Sequence, residues 1–138
     1  MGRHGLVRWP PWAALAGVAL VVHFYELYRP DSPPSAPWLP YSDKFGHVLG
    51  FALPLLLVLV TLAVRAQSRG RRLSGTSVVV AAGVFGAHAV ISEVIQGVFY
   101  RGRAGDPLDV LADAVGVMLG VITFQLLARG APLSRAPA

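Results

Sequence analysis

The sequence of 138 residues contains no cysteine and little charge. The lack of cysteine excludes disulfides, thiolate metal sites and cysteine nucleophiles. Charged residues make up 14% of the chain, whereas a soluble domain usually carries about 25%. Hydrophobic residues make up 54%, so the composition indicates a membrane protein. A chain of this length is ordinarily one domain.

Acidic residues are rarer than basic ones, and the formal net charge is +5. Most of the basic residues are arginines in short segments between apolar runs. This distribution is typical of topology control at an anionic membrane surface. A nucleic-acid interface would need a basic face with base-stacking aromatics, so we expect no nucleic-acid partner.

Four apolar runs are each long enough to cross a bilayer as a helix, which takes about 20 residues. They predict an all-α, polytopic membrane protein whose four transmembrane helices form a small bundle over residues 11–128. The predicted spans are about 11–28, 45–65, 77–99 and 107–128, after a short basic N-terminus (1–10) and before a disordered tail (129–138). A cleaved signal peptide is the rival interpretation of the first run, but Trp9 and Trp12 at its start favour a membrane helix.

Helix starts are predicted at two of the links. Five prolines in residues 29–42 exclude a helix there, and Ser42 or Asp43 is the expected N-cap of the second span. Asp106 as N-cap and Pro107 as first helical residue predict the start of the fourth span.

The positive-inside rule predicts that both termini lie in the cytoplasm. The basic residues on that side are Arg3, Arg8, Arg65, Arg69, Arg71, Arg72, Arg129 and Arg135. Those on the other side are Arg29, Lys44, Arg101 and Arg103.

Ionisable side chains at the ends of the spans are the candidates for function, because an ionised group beside hydrocarbon is costly unless it is paired or hydrated. In the predicted orientation, the candidates among them all fall at the extracytoplasmic ends of their helices. The candidate ligand-binding residues are Asp43, Lys44, His47, Glu93, Gln96, Arg101, Arg103, Asp109 and Asp113. His47 and Glu93 are the catalytic candidates, and we assign no metal and no cofactor.

A stripe of acidic and small residues follows the fourth span in steps of three or four. Its members are Asp106, Asp109, Asp113, Gly116 and Gly120. This geometry predicts that the fourth span buries the stripe against the second and third spans, which brings Asp109 near His47 and Glu93. Helix capping is enough to explain Asp106. Asp109 is explained either by capping or by membership of a binding site. Asp113 lies too deep in the span to be a cap.

The other polar residues leave alternatives open. Glu93 either pairs with Arg101, Arg103 or Lys44, or takes part in ligand binding or proton transfer. His47 is an oriented base, a metal ligand or a hydrogen-bonded interfacial histidine. Gln96 and His88 are expected to form hydrogen bonds between helices.

Four short motifs occur in a fixed order at the span ends. They are Asp43-Lys44-Phe45-Gly46-His47, then Glu93-x-x-Gln96, then Arg101 or Arg103 with Gly105-Asp106, then Asp109-x-x-x-Asp113-x-x-Gly116-x-x-x-Gly120. In this order they resemble the VanZ-like family, which is named for a member linked to teicoplanin resistance. The resemblance covers most of the chain and implies a multi-pass protein of the bacterial inner membrane with a four-helix domain. It implies no reaction.

One residue departs from the family pattern, which usually has asparagine at the position of Asp113. An amide needs only hydrogen bonds, whereas a carboxylate needs a cation or a proton. The polar residues at the extracytoplasmic face of this chain are therefore expected to carry a different charge from those of the family pattern.

The first functional hypothesis is the binding of an anionic membrane lipid or lipid-linked cell-envelope headgroup, with a link to glycopeptide (teicoplanin) resistance that the resemblance implies. Arg101 and Arg103 would contact the anion. The second hypothesis is a membrane hydrolase or transferase with His47 or Glu93 as general base and a metal at the acidic cluster. No serine or threonine has a recognisable nucleophile setting, which disfavours acyl-enzyme chemistry.

The third hypothesis is a structural or partner-binding subunit of the membrane. In that case the polar residues hold the helices together. The face of Gly116 and Gly120 would then pack against a partner helix or a second copy of the chain.

Overall fold

A computed structural model describes residues 9–29, 41–100 and 105–130. These ranges form four α-helices: α1 (Trp9–Tyr28), α2 (Ser42–Gln67), α3 (Gly75–Phe99) and α4 (Pro107–Gly130). All four are long and apolar enough to cross a membrane. The all-α, four-span fold is therefore confirmed, while the cytoplasmic location of the termini stays a prediction. Most of the predicted N-terminal segment and tail lies outside the described residues.

The start of α2 differs from the prediction. The N-cap is Tyr41, in a left-handed conformation with φ 58°, and no side chain caps the helix. The predicted cap at Ser42 or Asp43 is wrong because both residues already lie inside the helix. The Asp43 carboxylate instead pairs with Lys44 at 3.1 Å.

Side chains do cap the next two helices. At α3 the backbone N–H of Ser77 donates to Ser74 Oγ at 3.1 Å, which places the helix start two residues earlier than predicted. At α4 the backbone N–H of Leu108 donates to Asp106 Oδ1 at 2.9 Å. The predicted start of α4 at Asp106 and Pro107 is confirmed.

Helix α2 is the centre of the bundle, packing most closely against α4 and α1, while α3 packs mainly on α4. A shared apolar core holds the helices together. Its buried members include Leu27, Phe51, Leu55, Leu59, Val64, Phe85, Ala89 and Phe124. Because α2 and α4 pack against each other most extensively, polar groups on these two helices are held most firmly relative to each other.

The close contact between α4 and α2 depends on a glycine surface formed by Gly116 and Gly120. A Cβ added to Gly116 would overlap the backbone carbonyl of Val48, and one added to Gly120 would lie 2.9 Å from Ala52 O. Small residues allow such backbone contact between membrane helices. The surface that the sequence suggested for a partner helix or second copy is therefore occupied by α2 of the same chain.

The distribution of polar and apolar side chains in the bundle is opposite to that in a water-soluble protein. Large apolar side chains such as Val79 and Phe99 are 71% and 76% exposed, whereas Ser92, Gln96 and Asp113 are buried. An apolar surface of this extent would aggregate in water but suits the hydrocarbon of a bilayer. Polar groups inside such a bundle must find partners in the protein or in a ligand.

The end of α1 is tied to α3 by hydrogen bonds to its last carbonyl groups. Gln96 Nε2 donates to Leu27 O at 3.0 Å, and Tyr100 Oη donates to Tyr28 O at 2.8 Å. The interhelical hydrogen bond predicted for Gln96 is confirmed.

His88 packs differently from the prediction. Its ring lies 5.3 Å from that of His23 and 5.9 Å from that of Phe51, between centroids. His88 Nε2 is buried and has no hydrogen-bond partner. Aromatic packing among α1, α2 and α3 therefore holds this residue.

Candidate functional site

Seven ionisable side chains meet at the end of the bundle where α2 and α4 begin and α3 ends. We call them the polar cluster: Asp43, Lys44, His47, Glu93, Asp106, Asp109 and Asp113. The side chains of Asp43 and Asp106 at its rim are 50% and 38% exposed, and Asp113 at its floor is 0% exposed. The cluster therefore runs from an open rim into the interior of the bundle.

Lys44 lies at the centre of the outer half of the polar cluster. Its ammonium group is 3.1 Å from Asp43 Oδ2, 2.6 Å from Asp106 Oδ2 and 2.5 Å from Asp109 Oδ1. An ammonium has three N–H donors, so three carboxylates satisfy it fully. Together with the backbone N–H of Leu108, Lys44 holds the pKa of Asp106 below its usual range. This contact joins the start of α2 to the start of α4.

His47 occupies the inner half of the polar cluster, one turn after Lys44. Its Nδ1 lies 2.9 Å from Asp113 Oδ1, and its Nε2 lies 3.6 Å from Asp109 Oδ1. Asp109 thus faces both Lys44 and His47. A carboxylate on one ring nitrogen selects the tautomer and orients the ring, so α4 determines the direction in which the imidazole points.

Glu93 approaches the cluster from α3. Its Oε2 accepts a hydrogen bond from the backbone N–H of Asp106 at 3.0 Å, and the residue is 5% exposed. Its Oε1 is buried without a hydrogen-bond partner, and so is Asp113 Oδ2. Two carboxylate oxygens in the described part of the chain are therefore buried and unsatisfied, which is costly.

Two glycines bring Glu93 to this position. A Cβ on Gly105 would lie 2.9 Å from Glu93 O, and one on Gly97 would lie 3.1 Å from Gly105 N. The chain entering α4 therefore lies directly against the last turns of α3, and this places the Asp106 N–H on Glu93. The sequence analysis included Gly105 in a motif but missed the role of Gly97, and the contact between the two glycines has no local sequence signal.

His47, Glu93 and Asp113 are the described residues that could hold a metal ion. One ligand atom from each lies within 4.8 Å of the others. Each residue belongs to a different helix, so the group exists only in the folded bundle.

The structure brings together most of the residues predicted for the site. Gln96 is one turn from Glu93 but points to α1 and bonds to Leu27 O, so it links helices outside the cluster. Arg101 and Arg103 lie outside the described residues.

Two partner assignments differ from those considered from sequence. Capping explained Asp106 from the sequence, but Asp106 also pairs with Lys44. Its place on the stripe one turn before Asp109 was the signal for this second role. Lys44 pairs with aspartates and is not the partner of Glu93.

A family model described as VanZ/LLP1 matches residues 7–128, which include all four helices almost completely. No curated protein and no solved structure gave a significant match to the chain.

Proposed function

Because the chain belongs to the VanZ/LLP1 family and has four membrane-spanning helices, we propose that it binds an anionic headgroup of a membrane lipid or lipid-linked cell-envelope component. The polar cluster is the binding site, at the extracytoplasmic face of the bacterial inner membrane. A link to glycopeptide resistance, which the resemblance implies, belongs to the same proposal.

The observation that carries the proposal is the depth of the polar cluster. Its rim, at Asp43 and Asp106, is open, and its floor at Asp113 is closed. The cluster lies at the helix ends, where lipid headgroups lie beside a bundle of this length. The carboxylates of the cluster do not contact the anion; with buried oxygens on Glu93 and Asp113 that lack partners, they position cationic groups beside it.

The cations for the headgroup come from the link between α3 and α4. Lys44 already contacts three carboxylates, so it positions the site and leaves anion binding to other residues. The sequence places Arg101 and Arg103 between Tyr100, which bonds to the end of α1, and Gly105, which touches Glu93. Guanidinium groups bind phosphate through paired hydrogen bonds.

Replacing both Arg101 and Arg103 by alanine is expected to weaken headgroup binding at least about tenfold, since hydrogen bonds to charged groups are lost. Thermophoresis of the purified protein with a labelled polyprenyl phosphate, and with short-chain phosphatidylglycerol, measures this loss. The matched control is Arg71→Ala with Arg72→Ala, which removes the same charge from the opposite link and should bind normally. Equal affinity of the arginine variant and the unmodified protein would end the proposal.

A second candidate function is a hydrolase or transferase acting on a lipid headgroup. The contact of His47 with the buried Asp113 favours it, because a carboxylate-oriented imidazole is a suitable general base. His47→Gln is then expected to lower the rate of headgroup release about 100-fold, while Glu26→Gln, outside the polar cluster at the same end of the bundle, changes it little. Phosphate or headgroup release from the same lipids measures the rate, and the absence of turnover by the unmodified protein would exclude this candidate.

A further inference from the structure

We propose that His47, Glu93 and Asp113 bind one divalent transition-metal ion of the manganese or zinc class. This metal site goes beyond headgroup binding and is independent of that proposal. From the sequence, a metal ligand was one of three alternatives for His47, and no metal was assigned.

The ligand atoms of the three residues lie close enough together to share one ion. Metal ions of this class hold nitrogen and oxygen ligands at about 2.0–2.2 Å, so atoms on one ion lie within about 4.4 Å of each other. The ligand atoms of the three residues already lie within 4.8 Å of one another. Small side-chain rotations would therefore close them around an ion, with no movement of α2, α3 or α4.

Two carboxylate oxygens at the proposed site have no hydrogen-bond partner. Glu93 and Asp113 are 5% and 0% exposed, and their Oε1 and Oδ2 atoms are buried without a hydrogen bond. Buried carboxylates need a cation or donors that match their charge. Lys44 is the only lysine in the sequence. Its three contacts with carboxylates use all of its N–H donors, so it cannot also pair with Glu93 or Asp113.

The imidazole is arranged as a metal ligand needs it. His47 Nδ1 is the ring nitrogen that faces Asp113, with Asp113 Oδ1 2.9 Å away. Two ligand atoms that each lie about 2.1 Å from one ion are about 3 Å apart when they meet at a right angle, so Nδ1 and Asp113 Oδ1 already have the spacing of two ligands. Ligating histidines almost always donate their other ring nitrogen to a carboxylate, carbonyl or water, and Asp109 Oδ1, 3.6 Å from Nε2, is the carboxylate on that side of the ring.

The ligand types decide the class of ion. One imidazole with two carboxylates suits Mn²⁺, Fe²⁺ or Zn²⁺, whereas Mg²⁺ and Ca²⁺ prefer oxygen ligands alone. The chain has no cysteine, so thiolate-bound metals are excluded. Three protein ligands leave positions on the ion open for water or an anionic oxygen.

The test uses the purified full chain in detergent, freed of metal with a chelator and titrated with MnCl₂ or ZnCl₂. Electron paramagnetic resonance of free Mn²⁺ and calorimetry for Zn²⁺ should show one ion per chain with micromolar affinity. Glu93→Gln and Asp113→Asn should each lower the affinity at least about tenfold. Glu26→Gln removes a carboxylate that is 50% exposed, lies near the same end of the bundle and is outside the polar cluster, so it should leave the affinity unchanged.

Two results would overturn the metal site. One is the absence of stoichiometric binding to the unmodified protein at about 1 mM Mn²⁺ or Zn²⁺, where a micromolar site would also raise the melting temperature. The other is an equal loss of affinity in Glu26→Gln and Glu93→Gln. If Asp113→Asn does not fold, the unmodified protein and Glu93→Gln decide the question. Neither result bears on the phosphate-lipid titrations, so the metal site and the headgroup proposal can fail separately.

Discussion

Replacing Gly116 by valine is expected to lower the free energy of unfolding of the bundle by about 3 kcal/mol. A Cβ at this position would overlap Val48 O and lie 3.0 Å from Phe51 Cβ. A backbone carbonyl cannot rotate away as a side chain can, so α4 must move off α2. That movement takes Asp109 and Asp113 away from Lys44 and His47, and the polar cluster opens with it. Thermal or denaturant unfolding in detergent measures the loss.

The control is Gly17→Val on α1, where an added Cβ meets nothing within 4 Å. Both variants place the same β-branched residue in a membrane helix, so they differ only in the contact. Gly17→Val is expected to change the stability by less than about 0.5 kcal/mol. Equal losses in the two variants would show that helix propensity, and not the contact of α4 with α2, determines the effect.

Replacing Lys44 by methionine is expected to cost about 2–3 kcal/mol, less than the 3–5 kcal/mol typical of breaking a fully buried ion pair. The change leaves Asp43, Asp106 and Asp109 without their shared cation. Asp43 and Asp106 are 50% and 38% exposed, so water solvates them in part. Asp109, with a side chain 14% exposed, bears most of the cost.

A double-mutant cycle isolates this interaction. Lys44→Met combined with Asp109→Leu should be less destabilised than the sum of the two single variants, because the second change removes the carboxylate left unpaired. Lys44→Arg keeps the charge and should lose little. If the two losses are additive, the 2.5 Å contact of Lys44 with Asp109 contributes nothing to stability.

Hydropathy predicted the spans closely because lipid offers few alternatives. A chain crossing hydrocarbon must satisfy its backbone hydrogen bonds within each segment, so a long apolar run becomes a helix without reference to its neighbours. The start of α4 was predictable for a similar local reason, since Asp106 and Pro107 act through their own backbone. The start of α2 was not, because Tyr41 caps it by backbone conformation and leaves no side-chain signal.

Periodicity also placed the acidic and glycine residues of α4 on one face and led us to expect that this face packs against the second and third spans. The sequence allowed an external partner for Gly116 and Gly120, whereas the fold packs both against α2. The family motifs located the site residues near the span ends. The motifs grouped Gln96 with Glu93 as binding candidates on the same helix. In the fold, Gln96 turns toward α1 and only forms the hydrogen bond between helices.

The sequence by itself determined that this is a four-span membrane protein with its ionisable residues gathered near the helix ends. Only the tertiary structure decided which groups pair: Lys44 contacts three aspartates, His47 contacts Asp113, and oxygens of Glu93 and Asp113 stay unpartnered. The physical reason is the short range of these contacts. Hydrogen bonds and ion pairs are lost over about an ångström, and the rotation of each helix about its axis, set by the packing of glycines and apolar side chains, determines which atoms come that close.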